Sequence, residues 1–395
     1  MFLRVRVRAN EPGKYDKPYK EATRLNKGAI RFMKLTLTSP RSRREQLAAI
    51  PAPDGCNAQV LRLTGSGGST LFAERDPLSA IYHAILPSME VGEVSTWDAA
   101  AAKDTVPGCG IEHVCREDRV EVSLGESPFM TFHHGAGYPK PFINPILTPG
   151  GVNMLREPLP AYSEGEHPWQ RGLTLMQGAI NGVDCWGEFD RPGFGRTVQD
   201  EMSIHQGPLS LTIATGNTWY EGERPLMSDR RWYRLFDTGR DAVVLDVLFT
   251  LVTDRGPVTI GSTKEGGFLS IRVNPSMNAS GDGRMRNVYG ADDETGCWSR
   301  RAHWLDYCGP VGDETAGFAV FDHPDNLRYP TAWHVRGYGL FAANCWMVWD
   351  DHHCAADTET TFRWRVVIHA GDTQEAAVAD RFLDYVDGPR TAWED

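Results

Sequence analysis

Apolar and polar residues alternate with a period of two in several short stretches of the chain. Val120, Val122 and Leu124 are separated by polar residues. Phe268-Leu269-Ser270-Ile271-Arg272-Val273 alternates in the same way, and Phe362, Trp364, Val366 and Ile368 repeat the pattern near the end. Ala242 to Val252 is a long run rich in β-branched residues. A period of two buries one face of a strand, so these stretches predict antiparallel strands of a sandwich. Gly and Pro clusters separate them at Pro149-Gly150-Gly151, Arg255-Gly256-Pro257 and Gly281-Asp282-Gly283.

A helical period is evident only at the C-terminus. Asp372 and Glu375 have the spacing of a capping box. Val378, Phe382 and Val386 then form a helical stripe that Gly388-Pro389 stops. The expected fold is therefore all-β, an antiparallel β-sandwich with a C-terminal helix. The expected partition has three parts: a basic arm at residues 1–33, an N-terminal β section at 34–117, and the sandwich at 118–395.

Composition refines this picture. The 395 residues include 40 Gly and 25 Pro, enough to punctuate many turns. Lys and Arg total 41 against 52 Asp and Glu, a net charge of −11. That balance argues against the electrostatic grip of a nucleic-acid binder and against adhesion to an anionic membrane. The charge is uneven. Residues 1–33 hold nine basic and three acidic residues, whereas the remainder holds 32 basic and 49 acidic. The basic segment reads as a mobile arm, or as a start placed upstream of the true Met33. No secretory h-region and no spanning apolar run occurs. Eight Cys without CxxC spacing suit reduced thiols, so a cytoplasmic location is expected.

Candidate chemistry concentrates in a few polar stretches. His167 and Arg171 share the loop Glu164–Gly172, where His can move a proton and Arg can fix a carboxylate or sugar oxygens. His205 precedes a strand, and Glu265 precedes two Gly that let the backbone approach something closely. His303 lies in Arg301–Tyr307, and Asp322 and His323 in the next polar stretch. Trp333, His334 and Arg336 follow. On a strand, His334 and Arg336 share a face, which sets acid–base chemistry beside an anion clamp. Asp350-Asp351-His352-His353-Cys354, with His133-His134 upstream, carries the side chains that transition metals favour. The ligand spacing of zinc proteases is missing, so a divalent metal stays an open cofactor. GxSxG and GxGxxG are absent too, which disfavours a serine hydrolase or a Rossmann dehydrogenase.

Several of these stretches occur in an order that resembles the PmoA-like family. The motifs are Tyr138–Pro145, His167–Leu173, Asn181–Trp186, Thr263–Gly267, Arg301–Tyr307, Phe321–Pro324 and Tyr329–Arg336, between about Glu121 and Asp372. The methane-oxygenase activity attached to that family's label requires apolar spanning helices, which this chain lacks. The resemblance implies instead a supersandwich similar to galactose mutarotases, in which a His acid and a Glu base act on a sugar. His167, Arg171, His205 and Glu265 are the counterparts by character.

The leading expectation is a carbohydrate-active enzyme that cleaves a glycoside or keto-sugar by elimination or hydrolysis. His167, Glu265, His205 and His334 are the catalytic candidates. Arg171, Arg336, His303, Trp333, Asp322 and His323 are the substrate-binding candidates. A mutarotase or epimerase, and a non-catalytic sugar binder, are the alternatives. The expected partner is a small carbohydrate, with neither nucleic acid nor membrane, and self-association stays open.

Overall fold

The structure, a computed structural model, describes residues 33–102, 108–239 and 241–394. The basic arm lies outside the described residues except for Met33, which opens the first strand.

Two eight-stranded sheets carry most of the chain, and every strand pair within them is antiparallel. The front sheet runs from Trp333–Arg336 through Leu340–Ala343, Gly266–Arg272, Leu173–Gln177, Phe142–Ile146, Ser127–His133 and Arg119–Leu124 to Ile111–Cys115. The back sheet runs from Gly195–Gln206 through Ser210–Glu221, Arg224–Asp237, Ala242–Val252, Glu359–Ala370, Glu314–Asp322 and Trp304–Val311 to Arg284–Asn287. One hydrophobic cluster draws on both sheets, so they form a β-sandwich closed over a shared core.

Register explains how the sequence selects the faces. Val120, Phe132, Ile143, Leu173, Ile271, Phe341 and Val335 are successive cross-strand partners in the front sheet, and all belong to the core. The adjacent row is Arg119, His133, Phe142, Thr174, Ser270, Ala342 and His334. Directly paired residues share a face, and successive rows alternate. The second row therefore lies on the outward face of the front sheet, where other parts of the chain bury Phe142, Thr174, Ser270, Ala342 and His334. A slip of one residue would exchange the two rows and bury Arg119 and His334 in the core.

A smaller seven-stranded sheet comprises Gln46–Pro51, Ile81–Leu86, Thr70–Arg75, Val60–Gly65, Val94–Ala101, Met33–Thr38 and Arg390–Glu394, in that spatial order. Leu35, Leu61, Leu63 and Trp97 give it a core of its own. The chain thus returns to its N-terminal sheet after completing the sandwich. Buried ionic contacts join the two: Arg234 of the back sheet meets Glu74 at 2.8 Å and Asp76 at 2.9 Å.

The C-terminal helix spans Val378–Val386 and buries Val378 and Phe382. Asp372 and Glu375 do make the reciprocal bonds of a capping box, at 2.9 and 3.0 Å. They close a separate turn, however. Ala377 at φ 48° breaks the path between that turn and the helix, so the helix begins later than the box implies. No helix among the described residues is long and apolar enough to cross a membrane.

Candidate active site on the front sheet

Small side chains pave the middle of the outer row. Thr174, Ser270 and Ala342 lie side by side, with His334 at the end of the row. Two positions along the same strands, the same face carries Arg272 and Arg336, each paired with Leu340. His334 and Arg336 therefore share a face, as their spacing requires.

The loop before Leu173 folds over this face. Arg156 donates to the carbonyls of Glu166 at 2.8 Å, His167 at 2.6 Å and Gln170 at 2.9 Å. Arg272 donates to Gln170 Oε1 at 3.2 Å and Glu166 Oε2 at 2.9 Å. Two buried guanidinium groups thus hold one loop in a fixed shape. Burial pushes Arg156 down to about 10 and also lowers Arg272, because Glu166 compensates both charges only in part.

This scaffold presents His167. Its backbone is left-handed at φ 50°, unusual for a residue with a side chain. That geometry brings the neighbouring Glu166 Oε1 within hydrogen-bond distance of His167 Nδ1, at 2.8 Å. The ring stacks on Tyr338 at 5.2 Å and meets Trp169 edge-on at 5.4 Å. Tyr338 in turn lies 4.3 Å from the Arg272 guanidinium. The His167 side chain stays 39% exposed, and Nε2 has no hydrogen-bond partner among the described residues. A carboxylate that fixes Nδ1 while Nε2 faces outward is the arrangement of an oriented general base.

His334 is a different kind of histidine. The Trp298 indole N–H donates to its Nδ1 at 3.3 Å. Burial, with the charges of Arg336, Lys264 and His167 adding to it, pushes its pKa down to about 3. The ring is therefore neutral across the physiological range, with its proton on Nε2. His334 itself is buried, at 2% exposure. Arg336 is tied to Glu294 at 3.2 Å and covers Trp298 at 5.5 Å.

A buried ionic cluster bounds the other side. Glu188 binds Arg171 through both carboxylate oxygens and Lys140 at 2.9 Å. The Arg171 guanidinium lies 4.6 Å from Tyr138 and 5.9 Å from Phe142. Burial pushes Lys140 down to about 8 despite Glu188. Glu188 itself is desolvated, yet the two cations hold its carboxyl below the usual range. Arg171 is fully buried and committed to Glu188, so it is a structural cation and not a clamp for substrate oxygens.

The remaining sequence candidates are dispersed. Glu265 pairs with Lys264 and makes no hydrogen bond to His167, whose carboxylate partner is Glu166 instead. The two Gly after Glu265 do permit close approach, but to the protein's own strands: a Cβ on Gly267 would lie 2.6 Å from the Ala343 carbonyl. His205 sits on the edge strand of the back sheet, with Nε2 2.9 Å from Ser203 Oγ. Its neighbour Gln206 donates to Ile111 O at 2.7 Å. The strand of His334 lies seven spacings across the front sheet from Ile111, roughly 34 Å at about 4.8 Å each. His205 therefore cannot act with His334.

Trp333 points into the sandwich core and donates to Ala302 O at 2.9 Å, so it offers no stacking face. His303 lies outside the back sheet, where Tyr329 and Tyr289 hold its two nitrogens at 2.7 and 3.3 Å. Asp322 accepts from Asn326 and Thr331 at 2.7 Å each, pinning its own loop, and burial raises it to about 7. His323 packs edge-on against Tyr385 near the C-terminal helix. The Asp350–Cys354 stretch also spreads out: Asp351 accepts from Ser262 N, and His353 Nδ1 meets Thr259 Oγ1. Among the described residues no group of three or more His, Cys, Asp or Glu side chains is arranged to hold a metal ion.

A separate cleft of about 700 Å³ opens at the end of the sandwich, between Leu124–Phe129 and Asp237–Val243. Its lining is mainly apolar, and its histidine, His369, is already bound to Asp306 at 2.9 Å. Asp237, Asp241 and Glu314 also line this cleft, but His369 is the one histidine in its lining.

Residues 119–383 match DUF6807, a family of unknown function. The chain belongs to this family. The matched span begins with the second strand of the front sheet and takes in the whole face described above. It replaces the PmoA-like and mutarotase-like assignment: ordered His-Pro and Trp-His-Val-Arg motifs are short, and they do not distinguish one sandwich family from another. No curated protein matches the chain.

Proposed function

We propose that the protein is an enzyme that acts on a carbohydrate by acid–base catalysis at the front face. The observation that carries this reading is that two unlike histidines lie on the outward side of the front sheet, His334 buried at 2% exposure and His167 on the loop that Arg272 holds. His167 is oriented by Glu166 and exposes Nε2, and His334 is neutral and offers Nε2–H.

The pair suits proton abstraction beside a carbonyl. His167 takes the proton from a C–H next to the keto group of an oxidised sugar. His334 donates a hydrogen bond to the keto oxygen as it gains negative charge, in the positive field of Arg336 and Lys264. Collapse of the enolate expels a glycosidic oxygen from the β-carbon, and the protonated His167 returns its proton to that oxygen. The result is elimination without an external oxidant or reductant. Aromatic rings border both histidines: Trp169 lies edge-on to His167 at 5.4 Å, and Trp298, 39% exposed, reaches His334.

The test is a mass-spectrometric screen of the protein with glycosides and 3-keto-glycosides, with and without EDTA. The expected result is a new product mass that disappears in His167→Asn and in His334→Gln. An isomerase using the same pair would give no new mass. A product that persists in both variants would refute the assignment.

A further inference from the structure

We infer that Trp298 is a positioning residue that fixes the tautomer of His334. This inference rests on the front-face reading, and it concerns which nitrogen of His334 carries the proton.

An indole N–H donates and never accepts. With Trp298 Nε1 at 3.3 Å from His334 Nδ1, that nitrogen must present its lone pair, and the single proton of the neutral ring sits on Nε2. A proton on Nδ1 would place two N–H groups head to head. The ring could relieve that clash only by moving away from Trp298.

The local fold is built to hold Trp298 there. The short helix Asp293–Cys297 ends at Trp298, whose N–H donates to Glu294 O at 2.8 Å. Glu294 reaches the strand of His334 through Gly337 N at 2.7 Å and Arg336 at 3.2 Å. The next residue, Ser299, donates its backbone N–H to Trp333 O at 2.8 Å. The indole is thus anchored on both sides to the strand that carries His334. Arg336 lies over the Trp298 ring at 5.5 Å, yet Trp298 remains 39% exposed. A structural core tryptophan would be buried like Trp333, at 0%. The charges of Arg336 on its own strand, Lys264 in the loop before Gly266–Arg272 and His167 in the covering loop all disfavour a second proton on His334. The neighbouring carboxylates are engaged by these same groups: Glu294 by Arg336, Glu265 by Lys264 and Glu166 by His167.

The test is ¹⁵N long-range NMR of the full chain labelled at histidine nitrogens, with His334→Gln used to assign the signal. The expected wild-type spectrum has an unprotonated, hydrogen-bonded Nδ1 and a protonated Nε2, unchanged between pH 6 and 8. In Trp298→Phe, which keeps a ring beneath Arg336, the Nδ1 signal should shift as its bond is lost. A wild-type ring protonated on Nδ1 would overturn the inference, and so would an Nδ1 signal unmoved by Trp298→Phe. Because the wild-type spectrum decides by itself, a variant that fails to fold does not rescue the idea. If the tautomer is as inferred but His334→Gln retains full turnover of a confirmed substrate, the positioning stands and the catalytic reading falls.

Discussion

Replacing Glu188 by Gln should destabilise the protein by about 3–5 kcal/mol, the usual cost of breaking a buried ion pair from one side. The side chains of Glu188, Arg171 and Lys140 are 1%, 0% and 2% exposed. One carboxylate therefore compensates two cations that water cannot reach. Lys140, already pushed down to about 8, can release its proton when its partner disappears. Arg171 cannot, and a buried guanidinium would be left against a neutral amide. The assay is equilibrium urea unfolding followed by tryptophan fluorescence. With a slope of about 3 kcal/mol per molar, the midpoint should fall by roughly 1 to 1.7 M. Glu166→Gln is the control. Its carboxylate also meets two Arg side chains, but it is 57% exposed, so water can replace it and the midpoint should move far less. Equal shifts in the two variants would refute the argument that burial, and not the count of ionic partners, sets the cost.

Other outcomes follow from the same structure. Trp333→Ala should cost about 3–5 kcal/mol in urea unfolding, as a cavity in the sandwich core, and a loss of ligand binding without loss of stability would contradict its placement. His369 is desolvated, but Asp306 at 2.9 Å outweighs burial and raises its pKa above the ordinary 6.5. Its contribution to stability is therefore complete below 6.5 and is lost as pH rises through the raised folded value. Thermal unfolding should show that decline, and Asp306→Asn should flatten it. Gly267→Ala should lower the melting temperature, because φ 122° is strained for alanine and the new Cβ would press on the Ala343 carbonyl at 2.6 Å. A variant that melts with the wild type would contradict the close approach of Gly267 to the neighbouring strand.

Much of the sandwich was legible because period-two patterns are local. Ala242–Val252 is a strand over the same residues that form the β-branched run. Val120, Val122 and Leu124 alternate along Arg119–Leu124, and Phe362 to Ile368 along Glu359–Ala370. Phe268 departs from its pattern for a visible reason. A left-handed φ of 73° turns it inward, onto Phe249 at 4.3 Å, while Ser270 and Arg272 keep the outward phase. The late start of the C-terminal helix was not legible, since a capping box marks a turn whether or not a helix continues from it. The site divides the same way. His334 and Arg336 share a face by simple alternation. Neighbouring side chains ordinarily diverge, so the contact between Glu166 and His167 depends on a left-handed residue that the sequence does not announce. Arg272, Tyr338 and Trp298 join the site through cross-strand register and loop anchoring. Abundance of His and Arg in a stretch drew attention to His303, His323 and His205, which the fold sends to other surfaces.

The most direct test of the account is turnover of a 3-keto-glycoside by wild-type protein and by His167→Asn, with folding of the variant checked by circular dichroism. The account predicts a cleavage product from the wild type and a rate lower by about 10²–10⁴ in the folded variant, the usual contribution of a general base. Undiminished cleavage by His167→Asn would contradict it.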